Sequence, residues 1–564
     1  MNFILHRAPE LGTGRWKAPR TVSLERLPYT YPGRKRRILP GHFSPCRSAS
    51  LSRRLLCHWH WQCRGFSFPV ALPFVPLYNQ PWRCAIKLML NRRLFLKRTA
   101  LAAGAFSSTS LLPGPNLLAA SGASDRLNCV QIGCGGRGMS HLDWAVNTSK
   151  ENLVAIVDPD ERAHAKVKKW LQGKQHDADK LQVFTDYRVM YDKIGKQIDA
   201  VFIATPNHHH APASMLAMEL NKGVYCEKPL THDIAEARKL REMARHSKAP
   251  AQMGNQGHCE DGYRRLCEFI WAGVVGPIKE THSWTDRANG GVGPRPPSLP
   301  PPAGLHWNEW IGPAPYREYH TDLHPHEWHG WYDFGNGSLG NMSCHVLDGV
   351  YWALKLEHPL AVEEEQVRGG SDERYPTGSR LRWDCPARGD MPPVKVYWYE
   401  GLKQGAPDDA ASGSLKTVKG AARNLPSLLL ELQKQYPDEE FDSSGTIYVG
   451  EKGILYTATY GGHMHLLPME KMQSIKQPPV TLPRLAKGAN IMSDFLDACR
   501  AGKTETAAPF EYGAQLTEFS LLGNLAQHAG VGKKLEWDGP NMKVTNLQEL
   551  NAWVQRPYRQ GWPA

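Results

Sequence analysis

The chain has 564 residues, 41% of them hydrophobic, with 68 Lys and Arg against 55 Asp and Glu and a formal net charge of +13. That length is enough for at least two domains with buried cores. The basic excess is not a nucleic-acid signature: residues 1–125 carry 19 Lys and Arg against 3 Asp and Glu, so the remainder carries 49 against 52, near −3, without a basic stripe.

Residues 1–88 are rich in Arg, Trp and Pro and hold no sustained periodicity, so they are expected to be a disordered or mis-started extension. At Met89 the text becomes MLNRRLFLKRTALAAGAF, with Arg92 and Arg93 followed by Phe95, Leu96 and Lys97, a moderately apolar stretch and small residues near Ala119 to Ala123. This order predicts a twin-arginine export signal over residues 89–123 and a periplasmic or extracellular mature protein. The apolar stretch is too short and too weakly apolar to predict a stable membrane anchor.

Residues 124–250 read as a dinucleotide-binding domain. Leu127, Cys129, Val130 and Ile132 form the apolar run of a buried parallel strand, which leads into Gly133-Cys134-Gly135-Gly136-Arg137-Gly138 and then a helix over Met139 to Asn147. Gly133 permits the tight turn, Gly135 lets backbone approach a pyrophosphate, and Gly138 allows close helix-strand packing. A second run, Leu153 to Val157, ends at Asp158, twenty residues beyond Gly138, where a carboxylate would accept from ribose hydroxyls and favour NAD over NADP.

A charged helix from Glu161 to Gln172, a short strand at Val183 and Phe184, and a helix from Tyr187 to Ile194 come next. The strand Ile198 to Ala204 stops at Thr205-Pro206-Asn207-His208-His209-His210, and a turn at the carboxyl edge of a parallel sheet is where such folds bind ligand. Thr205, Pro206, Asn207 and His210 are therefore assigned to the cofactor site. No metal is predicted, because three adjacent histidines cannot all face one ion. After a helix from Ala211 to Asn221, the strand Gly223 to Cys226 ends at Glu227-Lys228-Pro229, placing Glu227 and Lys228 beside a nicotinamide and making Lys228-Pro229 a candidate cis peptide.

Residues 251–564 are assigned to a second domain, with strand-like runs at Lys395 to Tyr399, Thr446 to Val449 and Gly453 to Thr457. Asn289 to Gly304, dominated by Pro and Gly, reads as an extended loop forming one lip of a substrate cleft. The aromatic block from His306 to Trp331 predicts a carbohydrate site in which Trp307 and Trp331 face sugar C–H groups, with a satellite aromatic core as the competing reading. Helices at Ile491 to Ala501 and Gly513 to His528 are expected to pack the two domains together. Outside the leader, the cysteines show no C-x-x-C pair, so neither a zinc site nor a disulfide framework is predicted; Cys129, Cys226 and Cys344 read as core.

GCGGRG, VDPD, TPNHHH and EKP at these separations, followed by QMGNQGH at Gln252 to His258, WIGPAP at Trp310 to Pro315, GNGSLGNMSCHVLD at Gly335 to Asp348 and the closing LEWDGPNMKVTN and YRQGW, resemble the Gfo/Idh/MocA family of NAD(P)-dependent oxidoreductases. The resemblance implies an α/β chain: a Rossmann-type doubly wound parallel sheet, then an α+β domain whose open, mostly antiparallel sheet covers the nicotinamide. It also implies a homo-oligomer and oxidation of a secondary hydroxyl on a sugar, polyol or glycoside. Lys228 matches the family's lysine near the substrate hydroxyl. His345 matches its acid/base histidine, but Asn341 stands where the family has aspartate.

If that segment is helical, Asn341 and His345 share one face and one cleft, across from Lys228. Asparagine can orient an imidazole or a sugar hydroxyl but cannot stabilise an imidazolium, so a weaker base, or a shift of that role to Lys228, is expected. Asn255, Gln256 and His258 of QMGNQGH are assigned to the substrate side. Export also bears on cofactor use, since no nicotinamide pool is replenished outside the cytoplasm; NAD is expected to be held tightly and recycled within the cycle. Epimerisation or glycoside cleavage through transient oxidation, and a decayed binding module, are the alternatives.

Overall fold

The computed structural model describes residues 126–413 and 416–562. The extension expected over 1–88 and the export signal expected over 89–123 lie outside the described residues.

Six short apolar segments form the first sheet: β1 (Asn128–Ile132), β2 (Asn152–Val157), β3 (Gln182–Phe184), β4 (Ala200–Ile203), β5 (Gly223–Glu227) and β6 (Ala251–Gly254). They pair in parallel in the order β3-β2-β1-β4-β5-β6. β4, β5 and β6 are buried along their whole length, as expected of strands covered on both faces. Because β6 completes this sheet, the first domain continues past the boundary expected at residue 250. The order reverses between β1 and β4, which opens a crevice at the strands' carboxyl ends.

Helices alternate with the strands: α1 (Gly136–Leu142), α2 (Glu161–Gly173), α3 (Tyr187–Ile194), α4 (His210–Glu219), α5 (Ile234–His246) and α6 (Asp261–Trp271). Asp160 and Asp186 cap α2 and α3, and Asp233 with Glu236 forms a capping box at α5. α1 starts at Gly136, inside the glycine loop, rather than at Met139, and its end continues as a π-helical turn over Asp143–Thr148.

The rest of the chain adds β7 (Ile278–Thr285), α7 (Gly337–Val346), α8 (Asp348–Ala353), β8 (Ala361–Arg368), β9 (Gly378–Cys385), β10 (Val394–Gly401), β11 (Gly445–Gly450), β12 (Gly453–Ala458), β13 (His465–Leu467), α9 (Ile491–Ala501), α10 (Phe510–Ala529), β14 (Lys534–Asp538) and β15 (Lys543–Val544), and all but α9 build the second domain. Its nine-stranded sheet has the order β13-β12-β11-β7-β10-β9-β8-β14-β15. It is antiparallel throughout except where β7 meets β10.

α10 joins the domains as expected. Its Thr517 Oγ1 accepts from the Leu230 backbone at 3.1 Å, Glu518 pairs with Arg238 of α5, and Phe519 stacks on Trp383 of β9 with ring centres 5.4 Å apart. α9 departs from expectation: Phe495 packs on Phe202 and Tyr225, so this helix covers a face of the first sheet instead of bridging. Cys129, Cys226 and Cys344 are core residues, and no described helix is long and apolar enough to cross a membrane.

Candidate active site

A cleft of about 1370 Å³ lies at the carboxyl ends of β1, β2, β4 and β5, walled on the far side by α7 and the loop after β12. Gly133 has φ +82°, and a Cβ there would lie 2.5 Å from the Ala204 carbonyl oxygen. A Cβ on Gly138 would lie 2.0 Å from the Gly133 carbonyl oxygen. Gly135 differs: apart from its chain neighbours, no described residue lies within 4 Å of where its Cβ would be, and the space is the cleft itself. No side chain caps the start of α1, and its first turn holds no acidic residue. The loop therefore presents unpartnered N–H groups to the cleft, and the site fits a pyrophosphate.

Asp158 is buried at the cleft wall. Its carboxylate accepts from the Cys134 backbone at 2.8 Å and the Asp160 backbone at 2.9 Å, which holds the glycine loop to the end of β2. Burial pushes its carboxyl up, opposed by those two donors, and each oxygen keeps a lone pair for a ribose hydroxyl. Gly136 and Arg137 line the same wall, with Cys134 contributing backbone. Arg137 pairs with the buried Glu227 at 2.6 Å, and His141 bonds the same oxygen at 3.0 Å. Burial opposes the Glu227 charge, but His141 and Arg137 hold its carboxyl well below the usual range.

Thr205, Pro206 and Asn207 line the cleft, and the buried Thr205 hydroxyl has no hydrogen-bond partner among the described residues. His210 borders the cleft, but its nitrogens face the Pro229 carbonyl at 2.7 Å and the Thr205 carbonyl at 3.0 Å. It thus braces the ends of β4 and β5 at the cleft border, with both nitrogens turned to backbone carbonyls. His208 and His209 do similar work, both reaching the Trp310 carbonyl, at 3.1 and 2.9 Å. Burial pushes all three imidazoles down, so each neutral ring donates one bond. Among the described residues no group of three or more His, Cys, Asp or Glu is placed to hold a metal ion.

A strap over residues 304–329 crosses from the second domain onto the first. Glu161 donates its backbone N–H to Gly304 at 2.9 Å, His306 donates to the Pro159 carbonyl at 2.8 Å, and His324 bonds Asp160 at 2.9 Å. Trp310, His324 and Trp562 thus border the end of the cleft where Asp158 stands. Trp562 is held by Arg188, 3.6 Å over its ring. The loop 289–304 does not line the cleft; it delivers the strap. Trp307 and Trp331 are corrected as well: both are buried in a satellite core with Leu323 and Phe334, Trp307 stacked on Trp310 at 4.7 Å and Trp331 covered by Arg374 at 4.6 Å. Their faces are already occupied by protein.

At the opposite end, Lys228 and His345 line the cleft together, Lys228 from the turn after β5 and His345 from α7. The Lys228-Pro229 bond is cis, as the sequence leads one to expect. Lys228 Nζ donates to the Asn341 carbonyl at 2.8 Å and to Asn341 Oδ1 at 3.3 Å. Asn341 Nδ2 in turn donates to Asn289 Oδ1 at 2.9 Å. Asn341 therefore orients the lysine, not the imidazole, although both sit on α7. Burial pushes the Lys228 ammonium below its ordinary value, with Glu227 opposing.

His345 Nδ1 lies 3.0 Å from Asn255 Oδ1, and Asn255 Nδ2 donates to Asp348 Oδ2 at 3.1 Å. Burial, then the Lys228 charge, pushes the imidazole well down, so it is neutral near pH 7. Gln256 lines the cleft as expected, whereas Asn255 and His258 are buried behind His345. His258 lies between Trp352 and Tyr512, with ring centres at 4.0 and 4.1 Å, and bonds Asp348 at 3.0 Å, so neither residue is a substrate contact. Sequence reasoning missed Asp348, three residues beyond His345, and Tyr460, whose φ of +65° and edge-on contact with His345 at 4.9 Å mark a strained wall residue. A helical i, i+3 step from His345 was the available signal for Asp348.

Residues 127–255 match the oxidoreductase family NAD-binding Rossmann fold of Gfo/Idh/MocA, and residues 282–372 match an oxidoreductase family C-terminal alpha/beta domain. Inositol 2-dehydrogenase of Corynebacterium glutamicum is 30% identical over 157 residues, 28% of this chain and 44% of that protein. D-xylose 1-dehydrogenase (NADP(+)) of Hypocrea jecorina is 49% identical over 84 residues, 15% of this chain and 22% of that protein. The chain thus spans less than half the length of these curated relatives. Among solved structures, myo-inositol dehydrogenase from Lactobacillus casei aligns over 73% of this chain and 97% of its own at 14% identity and a TM-score of 0.42. WlbA dehydrogenase from Bordetella pertussis aligns over 73% and 99% at 13% identity and a TM-score of 0.46.

Proposed function

We propose, from the premise that this chain carries the two domains of the Gfo/Idh/MocA oxidoreductase family, that it oxidises a secondary hydroxyl of a sugar, polyol or glycoside with a tightly held NAD. The observation that carries the reading is the convergence, in one cleft, of an open glycine loop with a lysine donor and a neutral histidine acceptor. Gly133 to Gly138 and Asp158 would hold the cofactor's pyrophosphate and ribose, and Thr205, Asn207 and Glu227, which line the same cleft, would hold its nicotinamide end. When bound, the nicotinamide supplies the hydride acceptor. His345 takes the hydroxyl proton at Nε2, while Lys228, steered by Asn341, donates to the same oxygen. The carboxylate of Asp158 favours NAD over NADP. The intact wiring of both groups argues against a decayed module.

Retention of the cofactor is supported by the strap and by Trp562, which border the cleft beside Asp158. Export on the Arg92-Arg93 signal is itself part of the proposal and is consistent with retention, since this route carries folded proteins and no pool outside would replace lost NAD. A homo-oligomer belongs to the proposal as well. Protein purified without added cofactor is expected to release NAD on denaturation, and Trp562→Ala to speed cofactor loss. A screen of sugars, polyols and glycosides that follows nicotinamide absorbance and the product should find turnover without stoichiometric external NAD. Free exchange with steady NADH accumulation would refute recycling. No absorbance change with any substrate class would refute the oxidoreductase reading. Mass spectrometry of the native protein should find an N-terminus between Ala119 and Asp125, and light scattering reads the assembly.

A further inference from the structure

Asp348 lies behind the wall of the cleft and is wholly buried. Its carboxylate takes Asn255 Nδ2 at 3.1 Å, His258 Nδ1 at 3.0 Å and the Tyr512 hydroxyl at 2.5 Å. A carboxylate only accepts, so the Asn255 amide must turn its NH2 toward Asp348 and its oxygen toward His345. That oxygen also only accepts. The proton on the neutral imidazole is therefore placed on Nδ1, 3.0 Å away, and the lone pair on Nε2. Among the described residues Nε2 has no hydrogen-bond partner, and it is not sealed from the cleft.

Resting on the functional reading above, we propose that Asn255 and Asp348 are positioning residues that lock His345 in the Nδ1–H tautomer, so that Nε2 meets the substrate hydroxyl as an unprotonated acceptor. Asn341 does not fill this role: its oxygen meets Lys228, its NH2 meets Asn289, and His345 Nδ1 turns to Asn255 instead. The carboxylate absent from position 341 is supplied from Asp348 and relayed through one amide. The other groups facing the imidazole are Lys228, Glu227 and Arg137, with the Tyr460 ring edge-on and the Tyr263 hydroxyl on the His345 carbonyl. None of them directs a donor or acceptor at Nδ1.

Asp348→Asn tests the lock, since an amide at 348 can donate and let the Asn255 side chain turn over. Nitrogen NMR of histidine-labelled full chain, with the His345 signals assigned by their loss in His345→Gln, should show Nδ1–H in the wild type and a mixed or inverted tautomer in Asp348→Asn. The variant should lose at least about tenfold in kcat with cofactor affinity kept, as for other wrong-tautomer histidines. Asn255→Asp, which sets a carboxylate directly on Nδ1, should move the acid limb of the pH profile upward by about one unit. A wild-type Nε2–H signal overturns the proposal even if Asp348→Asn fails to fold. So does an Asp348→Asn protein with unchanged tautomer and rate. Failure to find any substrate would defeat the functional reading but leaves the tautomer measurement to decide this one.

Discussion

Asn341→Asp puts a carboxylate where Lys228 Nζ now meets an amide oxygen at 3.3 Å. At that distance a unit charge pair is worth about 5 kcal/mol at an effective dielectric of about 20 and about 1.3 kcal/mol in bulk water. With about 1.36 kcal/mol per pH unit, the Lys228 pKa should rise by between about one and about four units. The sign follows from the present state: burial pushes the ammonium below its ordinary value, and a new negative neighbour restores the charged form. Lys228 donates only while protonated, so the alkaline limb of kcat/KM should move to higher pH by at least about one unit. The lost bond to Asn289 Oδ1 is recoverable, since the Asn289 amide can turn its NH2 toward the new carboxylate. The assay is the pH profile of substrate oxidation at saturating cofactor. An alkaline limb that stays in place, or moves down, would refute Lys228 as the protonated donor and Asn341 as its partner.

The two kinds of glycine in the loop should separate cleanly. Gly135→Ala meets no described residue beyond its chain neighbours within 4 Å, so thermal stability should hold while cofactor affinity, read by calorimetry, falls. Gly138→Ala pushes a Cβ onto the Gly133 carbonyl at 2.0 Å and should cost about 1–3 kcal/mol of stability as well. Glu227 is a carboxylate held below its unfolded pKa; the stability it contributes is complete above about pH 4.3 and is lost as pH falls further. Glu227→Gln should flatten that acid slope in a Tm-against-pH series. Trp331→Ala, in the satellite core behind the strap, should cost about 3–5 kcal/mol in denaturant unfolding, whereas a substrate-contact role would leave stability nearly unchanged.

What could be read from the chain text was whatever contiguous residues settle among themselves. The glycine loop, Asp158 at the end of β2, the turn at Thr205 and Lys228 at the end of β5 follow from strand length, turn chemistry and the rule that parallel strands deliver their ligands at one edge. The cis bond before Pro229 and the shared helix of Asn341 and His345 are local in the same sense. Even the miss at residue 250 is local, since a four-residue apolar strand such as Ala251–Gly254 gives little periodicity to judge by. Which groups meet across the fold was decided elsewhere. Asn341 serves Lys228, 113 residues away, and His345 reaches Asn255, 90 residues away, because α7 lies against the turn after β5 and Asn255 follows β6. Trp307 and Trp331 look like sugar platforms in a list of residues, but the packed strap turns them inward. Secondary structure depends on neighbours in the chain, whereas hydrogen-bond partners of buried polar groups depend on what the closed structure brings within reach, because a buried polar group left unpaired costs free energy.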